Sequence, residues 1–225
     1  MPIYKKVDRG FFKKWSRSMA YVLGFFAADG TMIANNRKAH FIEFHVTDKE
    51  ILLKIRRVLK SNHKISVRDR GNNKWKIGYR LQIGSKEMFD DLINLEFVPN
   101  KSKTIKFPSI PDLFLGDFVR GYFDGDGCVY FRKHKVKDRE KERWIFSTRF
   151  TSGSKLFLSE LHSRLRPIIK KGSIYNKTRG FELVLSHNDS IALYKLMYHN
   201  NCRSLYLSRK YKLFRRAVNV LYGVK

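Results

Sequence analysis

Two stretches of this chain, at residues 22–30 and 119–127, repeat one pattern. The first reads VLGFFAADG and the second VRGYFDGDG, so each joins an apolar run containing one glycine to an Asp-Gly pair. An apolar run of this kind is long enough for about two helical turns. The Asp-Gly pair is typical of a helix end, where glycine can take the left-handed conformation. A duplication that keeps glycine, apolar run and acid in order predicts a chain built from two similar halves.

The duplicated pattern also predicts that two helices pack side by side. Gly24 and Gly121 each lie four residues before another small residue. Small residues at this spacing let two helix backbones approach closely, a rule best attested inside membranes. Asp29 and Asp126, which end the two runs, would then emerge together at one end of the helix pair. Two adjacent carboxylates with little else nearby are typical of a hard-cation site of the Mg²⁺ type.

The two stretches resemble the signature of the LAGLIDADG homing endonucleases, the second more closely than the first. Ala27 stands where the signature has its first acid, whereas the later acid, which binds metal in the family, is present as Asp29 and Asp126. The resemblance implies an α+β fold of two pseudo-symmetric αββαββα repeats. It also implies saddle-shaped antiparallel sheets that lie in the DNA major groove and a central interface of two helices.

We place the first repeat at residues 1–110, with an N-terminal extension at 1–17, and the second at residues 111–225. The boundary falls at residues 107–111 (FPSIP), because two prolines there flank a short turn directly before the second helix. Cutting at this point leaves the two halves almost equally basic, with net charges near +13 and +14.

The charge of the chain favours a nucleic acid as partner. A net charge of +27 accompanies 43% hydrophobic residues, so the chain has enough apolar material for a core and is not a disordered basic tail. A folded domain with a strongly positive surface indicates nucleic acid or an anionic membrane. A membrane is the weaker of these two candidate partners, because no apolar run approaches the roughly 18 residues needed to span a bilayer.

The sequence predicts a protein of an intracellular, reducing compartment, without resolving which one. Residues 1–10 are polar and basic and lack the apolar segment of a secretory signal. Cys128 and Cys202 cannot build a disulfide framework and show no Cys-x-x-Cys spacing for zinc.

Further elements follow in the same order in both halves. Residues 38–46 alternate in the manner of a strand, and a helix should follow with Thr47 or Asp48 as its cap. In the second half, Ser154 should open the corresponding helix. The apolar positions of these two helices match in spacing: Leu52, Ile55 and Leu59 in the first, and Leu158, Leu161 and Leu165 in the second.

A hairpin at residues 64–83 has the clearest two-residue alternation in the chain. Its apolar face is predicted to comprise Ile65, Val67, Trp75, Ile77, Tyr79, Leu81 and Ile83. Its other face is almost wholly cationic or amide, which favours contact with DNA over a merely solvated surface. The hairpin at 171–187 is less basic, so the two halves should read different bases. The charge-dense segment 132–143 is equally well explained as a DNA contact or as a solvated loop.

We expect the polar sheet faces to supply the DNA contacts. Arginine pairs favourably with guanine and glutamine with adenine, while lysines more often contact phosphates. Arg68, Arg70, Arg80, Gln82 and Arg149 are therefore the candidates for base contacts, and Lys74 and Lys76 those for phosphate contacts. The remaining candidates are Lys38, Glu43, His45, Lys64, Ser66, Arg132, Ser147, Ser173, Tyr175, Lys177 and Glu182.

The family resemblance further implies a lysine near each active site, late in each repeat. Lys101 and Lys210 match this expectation and lie 109 residues apart. We predict that they polarise the reacting groups or stabilise transition-state charge, with Lys103 as the competitor of Lys101. The resemblance also implies that the backbone carbonyls of Ala28 and Gly125 help to hold metal.

Taken together, these features predict a monomeric, site-specific double-strand DNA endonuclease encoded with a mobile intron. It would use Mg²⁺, with Mn²⁺ or Ca²⁺ able to substitute in binding, and would cut a long asymmetric target. One alternative is an RNA maturase that binds intron RNA without cutting DNA. Another is a DNA-binding regulator that keeps only the scaffold.

Overall fold

A computed structural model describes residues 5–69, 71, 76–135, 142–198 and 205–223 of the chain. In these residues, seven α-helices combine with eight β-strands. The helices are α1 (Arg17–Asp29), α2 (Lys49–Val58), α3 (Lys86–Asn94), α4 (Asp112–Asp126), α5 (Lys155–Leu165), α6 (His187–Tyr198) and α7 (Ser208–Tyr222). The strands are β1 (Gly30–Ala34), β2 (His40–Val46), β3 (Ile65–Arg68), β4 (Gly78–Gly84), β5 (Gly127–Lys135), β6 (Glu142–Ser152), β7 (Ser173–Lys177) and β8 (Gly180–Leu185).

The strands form two antiparallel sheets with the same topology. Their orders are β1-β2-β4-β3 and β5-β6-β8-β7. Each half thus follows the order αββαββα, and α7 is an additional helix at the end of the second half. The predicted α+β architecture of two repeats is confirmed, although the exact boundary between the repeats stays a prediction. None of the helices in the described residues is both long and apolar enough to cross a membrane.

The two central helices, α1 and α4, are in direct backbone contact. A Cβ atom added to Gly24 would lie 2.0 Å from the carbonyl oxygen of Phe118, and one added to Gly121 would lie 2.0 Å from that of Tyr21. No real Cβ atom can approach an oxygen so closely, so only glycine permits this contact. Both glycines thus lie where α1 and α4 contact each other.

The glycines that end these helices do not adopt the predicted left-handed conformation. Gly30 has φ −92° and ψ 151°, and Gly127 has φ −93° and ψ 160°, which are extended values that any residue can take. Glycine is required at both positions because a side chain would not fit. A Cβ atom would lie 2.2 Å from the Phe26 ring at Gly30 and 2.3 Å from the Phe123 ring at Gly127. Each chain can therefore turn directly from helix into the first strand of its sheet.

The apolar positions predicted for α2 and α5 are confirmed. All six are fully buried: Leu52, Ile55, Leu59, Leu158, Leu161 and Leu165.

Ser154 caps α5 as predicted, since its hydroxyl accepts a hydrogen bond from the Phe157 amide at 3.2 Å. Asp48 occupies the cap position of α2, but its side chain makes no capping hydrogen bond. Asp48 instead binds Arg209 of α7 at 3.0 Å.

The first hairpin is shorter than predicted, and part of its apolar face lies in solvent. Its return strand begins at Gly78, so the predicted strand residue Ile77 lies outside the strand and is 48% exposed. Val67, on the predicted buried face, is 60% exposed. Alternation records which side of the sheet a residue occupies, but not how far the core extends along it. Trp75 lies outside the described residues.

Replacement of Gly121 with alanine should destabilise the protein. The new methyl group would collide with the backbone of α1, and overpacking of this kind costs about 1–3 kcal/mol or more, which exceeds the gain in helix propensity of about 1 kcal/mol. Urea unfolding of Gly121→Ala measures the effect. Gly10→Ala is the matched control, because its nearest contacts would lie at 3.9 Å. Equal stabilities of the two variants would contradict the close helix contact.

Candidate active site and nucleic-acid interface

The two predicted metal ligands, Asp29 and Asp126, end the central helices and lie close together. Each directly precedes the first strand of its sheet. Burial raises the pKa of the Asp29 carboxyl to about 7, and the Asp126 carboxylate contributes to this rise. Burial also raises the pKa of Asp126. Two adjacent carboxylates, Asp29 half-buried and Asp126 exposed, concentrate negative charge that a cation can neutralise.

Lys210 lies at the carboxyl end of α4, beneath these acids. It is only 5% exposed. Its ammonium donates hydrogen bonds to the carbonyl oxygens of Phe123 at 2.7 Å, Asp124 at 2.8 Å and Gly125 at 3.2 Å. The carboxyl end of a helix carries partial negative charge, so it favours a cation. Burial nevertheless lowers the pKa of Lys210 to about 8, against the opposing effect of the nearby acids.

Lys101 occupies the related position in the first half, but with fewer contacts. It lies in a short 3-10 turn (Lys101–Lys103), is also 5% exposed, and donates a hydrogen bond to the carbonyl oxygen of Gly30. Burial lowers its pKa to about 8, while the two acids oppose this shift. Its competitor, Lys103, is exposed at the surface. The geometry thus brings Lys101, and not Lys103, to the acidic cluster.

The small residues Ala28 and Gly125 mark the point where the last turns of α1 and α4 meet. A Cβ atom on Gly125 would lie 2.4 Å from the Ala28 Cβ and 3.2 Å from Oδ2 of Asp29. The Gly125 carbonyl oxygen already accepts a hydrogen bond from Lys210. The expectation that these two carbonyls hold metal stays a prediction.

The donor atoms at this point fit a hard divalent cation. Asp29 and Asp126 offer carboxylate oxygens, and desolvation raises their pKa values more than the nearby Lys101 and Lys210 lower them. The described residues contain no group of three or more His, Cys, Asp or Glu side chains that could hold a metal. Two carboxylates would leave coordination positions for water and phosphate oxygens, an arrangement that Mg²⁺ prefers.

Sequence reasoning missed a third carboxylate near these acids, the buried Asp124. It is 2% exposed, and its Oδ2 accepts hydrogen bonds from the Tyr21 hydroxyl and the Leu207 amide, both at 2.8 Å. Burial raises its pKa to about 6. The signal that could have found it is the signature itself, because Asp124 is the first acid of the second copy and Ala27 replaces it in the first.

A buried ion pair within α4 was also missed. Arg120 donates a hydrogen bond to Asp117 at 2.7 Å and two more to the carbonyl oxygens of Met197 and Leu205. Charged residues inside an otherwise apolar helix were the available signal, since such residues are rarely buried without partners. This pair fixes the segment before α7 against the central helix.

The outer face of the first sheet, which points away from the helices, carries a linked group of polar side chains. Oε1 of Glu43 accepts hydrogen bonds from Arg80, at 3.4 Å, and from the amide of Gln82. The predicted residues Ser66 and Arg68 lie on the same face, since their register places them opposite Arg80 and Gly78. The geometry thus brings the two predicted base-contacting side chains of β4 together around one buried acid.

On the outer face of the second sheet, a different acid likewise binds neighbouring polar side chains. Glu182 lies 3.6 Å from Arg149 and 2.7 Å from Lys177. Tyr175 is paired opposite Glu182 and is exposed. Ser147, Ser173 and Arg132 also lie on this face. One acid on each sheet therefore orients the polar side chains next to it.

Four of the remaining candidates are exposed. His45 is on the outer face, Lys76 precedes β4, Lys64 precedes β3, and Lys38 lies in the turn between β1 and β2. Arg70 and Lys74 lie outside the described residues. Their predicted DNA contacts, like those of the other candidates, stay predictions.

A cleft of about 510 Å³ opens beside Asp29. His45 and Arg68 line it from the first sheet, and Arg209 lines it from α7. The ion pair of Arg209 with Asp48 joins the two halves across this cleft. Arg209 was not among the predicted residues, because nothing in its local sequence indicates that α7 reaches the first half.

The family comparison agrees with this geometry. Residues 17–94 match the family model of the LAGLIDADG-like domain. These residues are therefore similar to a LAGLIDADG-like domain. The resemblance to the LAGLIDADG family is thereby confirmed on the half whose signature departs more from the pattern. No curated protein matches the sequence significantly.

Solved structures of LAGLIDADG homing endonucleases share the fold of the whole chain. The meganuclease I-SmaMI bound to uncleaveable DNA is similar with a TM-score of 0.61 and 11% identity, covering 91% of this chain and 90% of that one. The homing endonuclease I-WcaI bound to its DNA recognition sequence has a TM-score of 0.60 and 16% identity, with coverages of 92% and 91%. I-LtrWI bound to target DNA has a TM-score of 0.60 and 9% identity, with coverages of 94% and 90%. At these identities the similarity establishes the LAGLIDADG fold.

Replacement of Asp29 with asparagine should stabilise the metal-free protein in a pH-dependent way. The carboxyl has a pKa of about 7 in the folded protein and 3.8 as its ordinary value. The folded state therefore holds the proton more tightly, and the cost of ionising Asp29 grows from about pH 4 to about pH 7 and stays constant above. Asp29→Asn should gain roughly 1–4 kcal/mol at pH 8 relative to the wild type.

Thermal unfolding in EDTA between pH 5 and pH 8.5 measures this gain. The exposed Asp69→Asn is the matched control and should show no such trend. A gain for Asp29→Asn that is the same at every pH would contradict the raised pKa.

Proposed function

We propose that this protein is a monomeric, site-specific double-strand DNA endonuclease that requires a divalent metal ion. The observation that carries the proposal is the cluster formed by Asp29, Asp126 and two buried lysines where α1 and α4 end. A protein that only binds DNA has no need of two adjacent carboxylates within a strongly cationic molecule. The relatives of the same fold are homing endonucleases bound to DNA.

The cluster contains the groups that phosphodiester hydrolysis needs. Asp29 and Asp126 would hold the ion, which supplies a Lewis acid for the phosphate and lowers the pKa of water. Lys101 and Lys210 keep positive charge close to the same point. With a pKa near 8, each ammonium remains mostly protonated at neutral pH and can stabilise developing negative charge or give a proton to the leaving oxygen.

The two outer faces support an asymmetric target. Glu43 orients Arg80 and Gln82 on the first sheet, whereas Glu182 orients Arg149 and Lys177 on the second. Side chains held by a neighbour lose less conformational freedom on binding, so they can discriminate bases more sharply. Because the two sets differ in residue type, they would contact different base sequences. Two repeats in one chain make a dimer unnecessary.

Asp126→Asn should slow cleavage of both strands by at least about 10²-fold, because it removes a group that acts at the reacting phosphate. A plasmid library with randomised sites is treated with wild-type protein and Mg²⁺, and the cut ends are sequenced. The recovered site then serves as substrate for the variant. The exposed Asp69→Asn is the control and should cut at the wild-type rate.

A measurement of duplex binding distinguishes the proposed endonuclease from the alternative functions. Asp126→Asn should still bind the recovered duplex in Ca²⁺, because the sheet faces are unchanged. Equal cleavage by wild type and Asp126→Asn would contradict the site assignment. Tight binding by the wild type without any cut, with Mg²⁺ or Mn²⁺, would favour the regulator.

A second candidate function, binding of intron RNA as a maturase, is supported by a groove on α7. The groove has a volume of about 460 Å³ and lies on the far side of α7 from Phe214, which packs against Phe146 in the core. Its lining residues combine aromatic rings with cations: Tyr206, Ser208, Tyr211, Lys212, Arg215, Arg216 and Asn219. No acid occurs after Asp189 in the sequence. Aromatic rings among cations are typical of surfaces that bind unpaired nucleic acid.

The double variant Lys212→Glu/Arg216→Glu should weaken RNA binding but leave duplex cleavage unchanged. Each reversal places negative charge in the groove, and loss of several phosphate contacts weakens binding steeply at moderate salt. Fluorescence anisotropy with an unpaired RNA oligonucleotide measures the effect. The control is Lys155→Glu on the exposed surface of α5. If the groove variant and the control bind RNA equally, the groove has no role in RNA binding.

A further inference from the structure

The interface between the central helices is symmetric in its glycines but not in its polar groups. When the two signatures are aligned, Tyr21 corresponds to Phe118 and Ala27 to Asp124, each pair being 97 residues apart. The hydroxyl of Tyr21 donates a hydrogen bond across the interface to Asp124 at 2.8 Å. The equivalent pair, Phe118 and Ala27, has no polar side-chain atom. One end of the interface therefore carries a polar tether that the other end lacks.

Asp124 also holds the segment that carries Lys210. Its Oδ2 accepts the amide hydrogen of Leu207 at 2.8 Å, immediately before α7 begins. Lys210 lies in the first turn of α7, and its own amide donates to the Leu207 carbonyl at 3.0 Å. The Lys210 ammonium then returns to the backbone of Asp124 at 2.8 Å. Both ends of the Leu207–Lys210 turn are thus fixed to one residue of α4.

Among the described residues, the first half has no equivalent tether for Lys101. The residue that corresponds to Leu207, at the same offset of 109, is Val98, which is 43% exposed. Between it and Lys101, Asn100 adopts a left-handed conformation with φ 59°. Ala27 offers no side chain that could accept a hydrogen bond from this segment. Lys101 is therefore held by the Gly30 carbonyl and by its short 3-10 turn.

The tether has a cost that a purely structural role would not justify. Oδ1 of Asp124 is buried and has no hydrogen-bond partner in the described part of the chain. An unsatisfied buried carboxylate oxygen destabilises a folded protein, so an apolar residue such as the alanine of the first half would be cheaper at this position.

We propose that Asp124 is a positioning residue for Lys210, and that its absence from the first half makes the protein cut the two DNA strands in a fixed order. The strand served by Lys210 is cut first, because that lysine is already held at the acidic cluster. The strand served by Lys101 is cut second, since that lysine is held by fewer contacts. This inference rests on the proposed endonuclease function.

Strand-resolved cleavage of the recovered target tests the order. Each strand is end-labelled separately, and Lys210→Met and Lys101→Met identify which strand depends on which lysine. Asp124→Leu should slow the Lys210-dependent strand by about 10²-fold, the loss expected when a reacting group is misplaced by about 1 Å. The Lys101-dependent strand should be cut at the wild-type rate, so the order of cutting reverses.

Asp124→Asn tests whether position or charge matters. The asparagine oxygen can accept the hydrogen bonds from Tyr21 and Leu207, so this variant should keep the wild-type order. Tyr122→Phe is the matched control, because it removes another buried hydrogen bond of α4, from the Tyr122 hydroxyl to Thr151 at 2.8 Å. It should not change the ratio of the two strand rates. The proposal is overturned if Asp124→Leu slows both strands equally, or if Asp124→Asn behaves like Asp124→Leu.

Amide hydrogen exchange examines the tether without reference to cleavage. The Leu207 amide should be protected in the wild type and in Asp124→Asn, and should exchange faster in Asp124→Leu. Unchanged exchange in Asp124→Leu would overturn the positioning role even if the protein is an endonuclease. If the wild type cuts no site in the library, the proposed function fails, and with it the cutting order. Faster exchange in Asp124→Leu would then still support Asp124 as the residue that positions Lys210.

Discussion

The contact between α1 and α4 determines where the other parts of this protein lie. Gly24 and Gly121 bring the two backbones so close that the last turns of both helices meet at Ala28 and Gly125. Each helix continues without a loop into the first strand of its sheet, so the helix contact also fixes the distance between the two sheets. A protein with longer connections could adjust the sheets independently of the acids. Here the packing of α1 against α4 sets the positions of the sheets and of the acids together.

The electrostatics of the cluster follow from that contact. The carboxylates at the ends of these touching helices lie close together, and partial desolvation raises the pKa values of both. Lys101 and Lys210 offset part of the negative charge, but they are buried as well. Burial lowers their pKa values from the ordinary value, whereas it raises the pKa of Asp29. The cluster is therefore an unstable concentration of charge in the metal-free protein. Such an arrangement is expected where charge is needed for chemistry, because a core built only for stability would be apolar.

Much of the fold could be predicted because it is encoded in local patterns that occur twice. The helix glycines, the apolar positions of α2 and α5 and the polar faces of the hairpins all follow from spacing along the chain. The errors have a common cause. The conformation of Gly30 and the exposure of Val67 depend on how far neighbouring elements extend, and alternation carries no information about that. The contacts of Asp124 were missed because its partners, Tyr21 and Leu207, lie 103 and 83 residues away from it in sequence.

The sequence by itself determined that the chain has two similar halves, that two helices with glycines meet, and that one acid from each half ends its helix. These properties depend on residue order over a few helical turns. Only the tertiary structure decided which lysines reach the acids, that Arg209 of α7 binds Asp48 of the first half, and that one side of the cluster is tethered while the other is not. Those contacts join segments far apart in the chain, and their geometry is fixed by the packing of helices and sheets around a shared core.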